Sequence, residues 1–244
     1  MRFVHQNPGR SGNFAGYVTK WRWLADIQYM GAKMTADSGD LDDLLQRIRR
    51  GDEQAVVALF TRYRDRLRRM VRLRLDRRLQ GRIDPSDVLQ DAYLDVAKRA
   101  GEYVANPSVP VFLWLRLMTG QRLMALHRQH LGAQMRDAGQ EVSLYRGALP
   151  HATSVSLAAL LLGRLTSPTQ AAQRAEMQIR LQEVINAMDP IDREVLTLRH
   201  FEELSNVETA QVLGIQKSAA SNRYLRALKR LKDTLASMPG LLDN

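Results

Sequence analysis

Between residues 216 and 232 the chain carries Lys217, Arg223, Arg226, Lys229, Arg230 and Lys232 with no acid among them, a local charge of +6. Such a segment has no means of covalent catalysis; its chemistry is the binding of anions. Wound as a helix at about 100° per residue, it places Ala220, Tyr224, Ala227, Leu228, Leu231 and Leu235 on one face, with Ser218, Asn222, Arg226 and Lys229 opposite. Asn and Arg can make bidentate contacts to adenine and guanine edges, while flanking Lys and Arg hold phosphates. Lys217, Ser218, Ser221, Asn222, Arg223, Arg226 and Lys229 are therefore the candidate contacts to duplex DNA. The competing reading is a basic amphipathic helix that packs on a neighbour and binds nothing.

A second constellation has the opposite sign. Asp87, Gln90, Asp91 and Leu94 recur at spacings of three and four, so on a helix they share one exposed stripe, while Val88, Leu89, Ala92, Tyr93 and Val96 form the buried one. Residues 83–109 hold five acids against two bases, whereas residues 47–82 hold thirteen arginines against four acids. An acidic island beside strongly basic helices implies two kinds of partner. His127 and His130 stand at i, i+3, but no third ligand is near them in sequence. With no cysteine there is no thiolate metal site, disulfide or thiol nucleophile. No metal, cofactor or enzymatic activity is expected, because no carboxylate cluster or nucleophile constellation stands out.

The elements that position these residues are helical. Periodicity begins at Leu41, stops at Gly51, and restarts after Asp52; Asp84 and Pro85 open a helix to about Ala100, with a loop from Gly101 to Pro110. A further helix follows from Pro110 to His130. Ser167 with Gln170 forms a capping box for a helix to about Met188, and Asp189 with Pro190 opens one to about Phe201. Ser205 with Glu208 caps the helix before Gly214, completing a helix-turn-helix with the basic segment. The class is all-α, with two small helical domains: an extension at 1–37, read as loosely ordered, then a domain at 38–131, a linker at 132–167, a domain at 168–238 and a tail at 239–244. Met30 and Met34 precede the first clear element, so an internal start is one reading of the extension.

At 244 residues, 45% of them hydrophobic, the chain can bury two cores; its net charge of +10 favours a polyanionic partner. The longest apolar run, Leu157 to Leu162, is too short to span a bilayer and must dock on another surface to be covered. No signal peptide is evident, and a cytoplasmic protein without membrane association is expected.

These pieces, in this order, resemble the extracytoplasmic-function group of sigma-70-type RNA polymerase sigma factors over about residues 38–236. The string from Asp84 to Leu94 is similar to region 2.2 of that family, and Phe112 to Arg128 to regions 2.3 and 2.4. Asp189 to Arg199 resembles the entry to region 4, and the helix-turn-helix resembles region 4.2. The resemblance implies that region 4 reads a minus-35 element and region 2 holds a melted minus-10 element. It also implies that Asp87, Gln90, Asp91 and Leu94 grip the β′ clamp helices of bacterial core RNA polymerase, with the β flap as a further docking point. Arg116, Gln121, Arg122, His127 and Arg128 become the candidate minus-10 contacts, with Trp114 read as core rather than as a stacking platform. An anti-sigma factor is a candidate partner on the same ground. The chain departs from the family pattern at Gly120, Gln121, Ala219 and Ala220, so promoter sequence does not transfer. Fully extended, the 43 residues between His130 and Arg174 reach at most about 140 Å, against about 70 Å for two duplex turns. The alternatives are a stand-alone helix-turn-helix regulator, which needs no polymerase surface, and a decoy that sequesters a regulator, which needs no basic recognition helix.

Overall fold

Helix boundaries in the computed structural model, which describes residues 38–131, 149, 152–165 and 171–236, fall mainly where side chains satisfy orphan backbone groups. Helix α1, Ser38–Arg49, stops at Gly51, whose φ of 86° reverses the chain. Asp52 then accepts from the backbone N–H groups of Gln54 and Ala55 at 2.9 and 3.3 Å and opens α2, Glu53–Arg74. Leu59, Leu67 and Met70 on α2 are fully buried. Asp84 accepts from the N–H of Ser86 at 2.7 Å and, with Pro85 at the first position, starts α3, Pro85–Ala105. This helix runs one turn past its expected end because Tyr103 and Val104 are buried and the Tyr103 hydroxyl donates to the Val109 carbonyl at 2.7 Å. Tertiary burial there outweighs the about 1 kcal/mol that an interior glycine, Gly101, costs a helix. Helix α4, Val111–Leu131, is buried on nearly every side through its first ten residues, which makes it the central helix of the N-terminal bundle.

The apolar run expected to need cover lies in α5, Ser154–Leu165, a helix within the segment read as linker. Leu157, Ala158, Leu161 and Leu162 are buried as α5 packs along α6, Ala171–Asn186, whose Leu181 and Ile185 are buried in turn. The capping box at Ser167 and Gln170 lies outside the described residues, as do the extension at 1–37 and the tail at 239–244. Asp189 accepts from the Ile191 N–H at 2.8 Å and begins α7, Pro190–Leu196, which continues as a π-helical turn over Thr197–Phe201. The helix-turn-helix is α8, Asn206–Leu213, and α9, Lys217–Ala236. The described residues contain no strand, only an isolated bridge between Gln80 and Ile83. The fold is all-α, and no described helix is long and apolar enough to cross a membrane.

From Asp43 onward the chain forms one compact unit, and the closest helix–helix packing falls within each bundle. The two bundles meet chiefly through long charged side chains. Arg74, at the end of α2, donates to Glu194 of α7 at 2.5 Å and to Glu202 at 2.6 Å. Arg116 of α4 donates to the other oxygen of Glu202 at 2.7 Å. The side chains of Arg74 and Glu202 are 1% and 0% exposed. Burial works against the Arg74 guanidinium, but the Glu194 and Glu202 charges outweigh it and hold its pKa above the ordinary arginine value.

Candidate nucleic-acid interface

The helix-turn-helix is fixed by local chemistry. Ser205 and Glu208 form the reciprocal capping box, with Ser205 N–H donating to Glu208 at 2.7 Å and Glu208 N–H to the Ser205 hydroxyl at 3.1 Å. Gly214 ends α8 in the left-handed region at φ 59°. The Asn206 side chain then ties the two helices together, donating to the Lys217 carbonyl at 2.8 Å and to the Ser221 hydroxyl at 2.9 Å. On α9, Ala220, Tyr224, Ala227 and Leu231 are buried, as the wheel requires, and Lys217, Ser218, Asn222, Arg226 and Lys229 are exposed. Ser221 is half-buried against Asn206, so its hydroxyl serves the turn.

Two aspartates missed by sequence reasoning organise the cations of this face. Arg223 donates to Asp192 at 2.7 Å and approaches Asp189 at 3.4 Å, while Arg226 reaches Asp192 at 3.3 Å. Asp189 is therefore both the cap of α7 and a neighbour of Arg223; backbone donation from Ile191 is the chief reason its carboxyl titrates below the usual range. The acid-free stretch of sequence is, in space, a basic face held by acids thirty-odd residues upstream. No spacing within α9 signals this. The two acids of the Asp189, Pro190, Asp192 cap were legible as a helix start and nothing more.

On α3, Asp87, Gln90 and Leu94 are exposed and form the expected stripe beside a buried Val88, Leu89, Ala92 and Val96. Asp91 is half-exposed and accepts two hydrogen bonds from Arg122, at 2.7 and 3.0 Å. Residues expected to serve polymerase and DNA separately thus form an ion pair with each other. On α4, Gln121 and Arg128 are exposed and Arg122 half-exposed.

Arg116 and His127 depart from the expectation that they face DNA. Arg116 is 5% exposed and bound to Glu202; His127 is 1% exposed, and its Nε2 accepts from the Asp76 N–H at 3.2 Å. Burial pushes the His127 imidazole below its ordinary pKa against the pull of the Asp76 charge. In this conformation neither side chain reaches solvent. Trp114 is core, stacked on Tyr103 with ring centroids 4.3 Å apart. Gly120 is buried beneath the Leu149 side chain, which a Cβ at that position would strike at 2.1 Å. The departure from the family pattern at Gly120 therefore has a steric role, seating a residue from the following segment on α4. No group of three or more acidic or histidine side chains suited to a metal occurs among the described residues.

A family profile described as Sigma-70, region 4, matches residues 178–231, the span from α6 to most of α9. Among curated proteins, the ECF RNA polymerase sigma factor SigK of Mycobacterium sp. (strain KMS) is 24% identical over 196 residues, covering 80% of this chain and 91% of the relative. The ECF RNA polymerase sigma factor BldN of Streptomyces coelicolor is 21% identical, covering 80% of this chain and 66% of its own length. The RNA polymerase sigma-E factor of Streptomyces avermitilis is 37% identical over 71 residues, 29% of this chain and 37% of that protein. Among solved structures, CnrH in complex with the cytosolic domain of CnrY aligns with a TM-score of 0.45 and 19% identity, over 80% of this chain and 96% of that one. A capped helix-turn-helix thus lies under the Sigma-70 region 4 match at residues 178–231, and along four-fifths of its length the chain is similar to ECF RNA polymerase sigma factors.

Proposed function

We propose that this protein binds core RNA polymerase and directs promoter-specific initiation, with α9 reading the minus-35 element in the major groove and the N-terminal bundle stabilising the melted minus-10 element. The observation that carries this reading is the coincidence of the region 4 match with a helix-turn-helix that presents Lys217, Asn222, Arg226 and Lys229 to solvent. Residues 38–131 act as region 2, 132–167 as linker and 168–238 as region 4. Asp87, Gln90, Asp91 and Leu94 engage the β′ clamp helices, where the partner displaces Arg122 from Asp91. The β flap takes the C-terminal bundle. Gln121, Arg122 and Arg128 are the minus-10 contacts available at the surface. An anti-sigma factor completes the set of partners, and the site of action is the cytoplasm.

Transcription in vitro with core polymerase, with and without the protein, on a library of promoters tests this directly. Protein-dependent initiation from a defined subset is expected, and none at any promoter would sink the reading. Gln90→Ala combined with Asp91→Ala should abolish core association while leaving upstream duplex binding intact. If the double variant still associates with core polymerase, this stripe is not the clamp contact.

A further inference from the structure

The joint between the bundles gathers several unusual features at one place. Arg66, Arg69, Arg74 and Arg116 of the N-terminal bundle all direct their guanidiniums at the turn that follows α7. Arg66 lies 3.5 Å above the Phe112 ring centroid and donates to the Glu203 carbonyl at 2.7 Å; Arg69 meets the Glu203 carboxylate at 2.6 Å. The turn itself is irregular. It leaves the α-helix through the π-helical residues Thr197–Phe201, and Glu203 sits at φ 58°, a left-handed conformation costly for a residue with a Cβ. π-helical turns and strained backbone concentrate at functional sites. Here they deliver Glu202 and Glu203 into a cluster of arginines.

Arg116 links this geometry to DNA binding. It lies on the helix expected to hold the melted element, yet its guanidinium is 2.7 Å from Glu202. A carboxylate and a phosphate present the same acceptor geometry to arginine. We infer that Glu202 and Glu203 act as an internal stand-in for DNA phosphates, so that the bundles part when promoter DNA takes over the arginine face. The partner for this surface is single-stranded DNA, and its occupant in the free chain is the chain's own C-terminal bundle. That promoter DNA is what opens the joint rests on the sigma-factor reading; that the joint opens when its carboxylates are neutralised does not.

The chain has no cysteine, so Ala58→Cys and Gln211→Cys, at exposed positions in the two bundles, give a clean labelling pair for energy transfer. In the full chain, transfer should be high; Glu202→Gln and Glu203→Gln should each lower it while circular dichroism keeps its helical signal. A short single-stranded oligonucleotide should bind each variant at least about tenfold more tightly than the parent, with a strong salt dependence. The more exposed Glu203→Gln guards against a Glu202→Gln that fails to fold. Unchanged transfer and unchanged oligonucleotide affinity in a folded Glu203→Gln and Glu202→Gln would overturn the inference. So would lowered transfer with no gain in oligonucleotide binding, since the freed arginines would then not be a DNA surface. Joining the two cysteines with a reducible bismaleimide should block promoter-directed transcription until the linker is cut. Equal transcription by the linked and cut forms also overturns the inference, whereas silence from the cut form, with transfer and oligonucleotide binding as expected, overturns the sigma-factor reading alone.

Discussion

On α9 the Arg226 side chain is 63% exposed with Asp192 at 3.3 Å, whereas that of Arg223 is 25% exposed and closer to the same carboxylate. Arg226→Ala is expected to lose about 1–3 kcal/mol at the upstream element if it reads a base, measured by electrophoretic mobility shift on matched and mismatched duplexes; unchanged affinity would remove it from the readers. His127 supplies a pH-dependent counterpart. Its folded pKa lies below the usual 6.5, so the unfolded chain takes up this proton first as acidity rises. The associated stability is present above about pH 6.5 and is lost as pH falls toward the lowered folded value. An NMR titration should find the His127 midpoint below the ordinary value of about 6.5, and His127→Gln should flatten the acid limb of the thermal stability profile. Neither the burial of His127 nor that of Arg116 was legible in the sequence. Helix α4 is apolar on almost all sides, so its periodicity does not decide which polar residues face water. By contrast Asn222, Lys229 and the buried Tyr224 fell where the wheel put them, because α9 has one strongly apolar stripe.

Among the elements, the caps were the most legible features. Asp52, Asp84 with Pro85, Asp189 with Pro190, and Ser205 with Glu208 each act within one helical turn, so the sequence alone states their chemistry. The far end of α3 was not legible, because Gly101 suggests a loop while the burial of Tyr103 and Val104 is a tertiary effect. A Cβ at Gly101 would meet nothing within 4 Å. Gly101→Ala should therefore stabilise the chain by about 0.5–1 kcal/mol, read from thermal unfolding; a destabilised variant would show that the helix does not pass through this residue as described. Helix α5 was hidden for a different reason. Its glycine- and proline-containing flanks mask an apolar segment that becomes regular by packing on α6. The π-helical turn leaves no local signature in the sequence; it leads into Glu202 and Glu203, whose charged partners lie in the other bundle.

At the scale of the molecule, the two helical sets and their order were readable, but their contact was not, since Arg74 and Glu194 are 120 positions apart. Removing one partner of a buried ion pair costs about 3–5 kcal/mol because the other charge is left stranded. In a double-mutant cycle of Arg116→Gln and Glu202→Gln, the combined cost should fall below the sum of the single costs by about 0.5–3 kcal/mol, measured by chemical denaturation; strict additivity would mean that the two groups do not interact in solution. The same seam has a consequence for how much partner the chain needs. A protein whose competent form is a small fraction of the population binds with its intrinsic dissociation constant divided by that fraction. Every 1.4 kcal/mol or so by which the seam favours closure raises the apparent constant about tenfold. The arginine–glutamate seam thus sets a concentration threshold, below which the protein remains occupied with itself and above which promoter and polymerase together can draw it open.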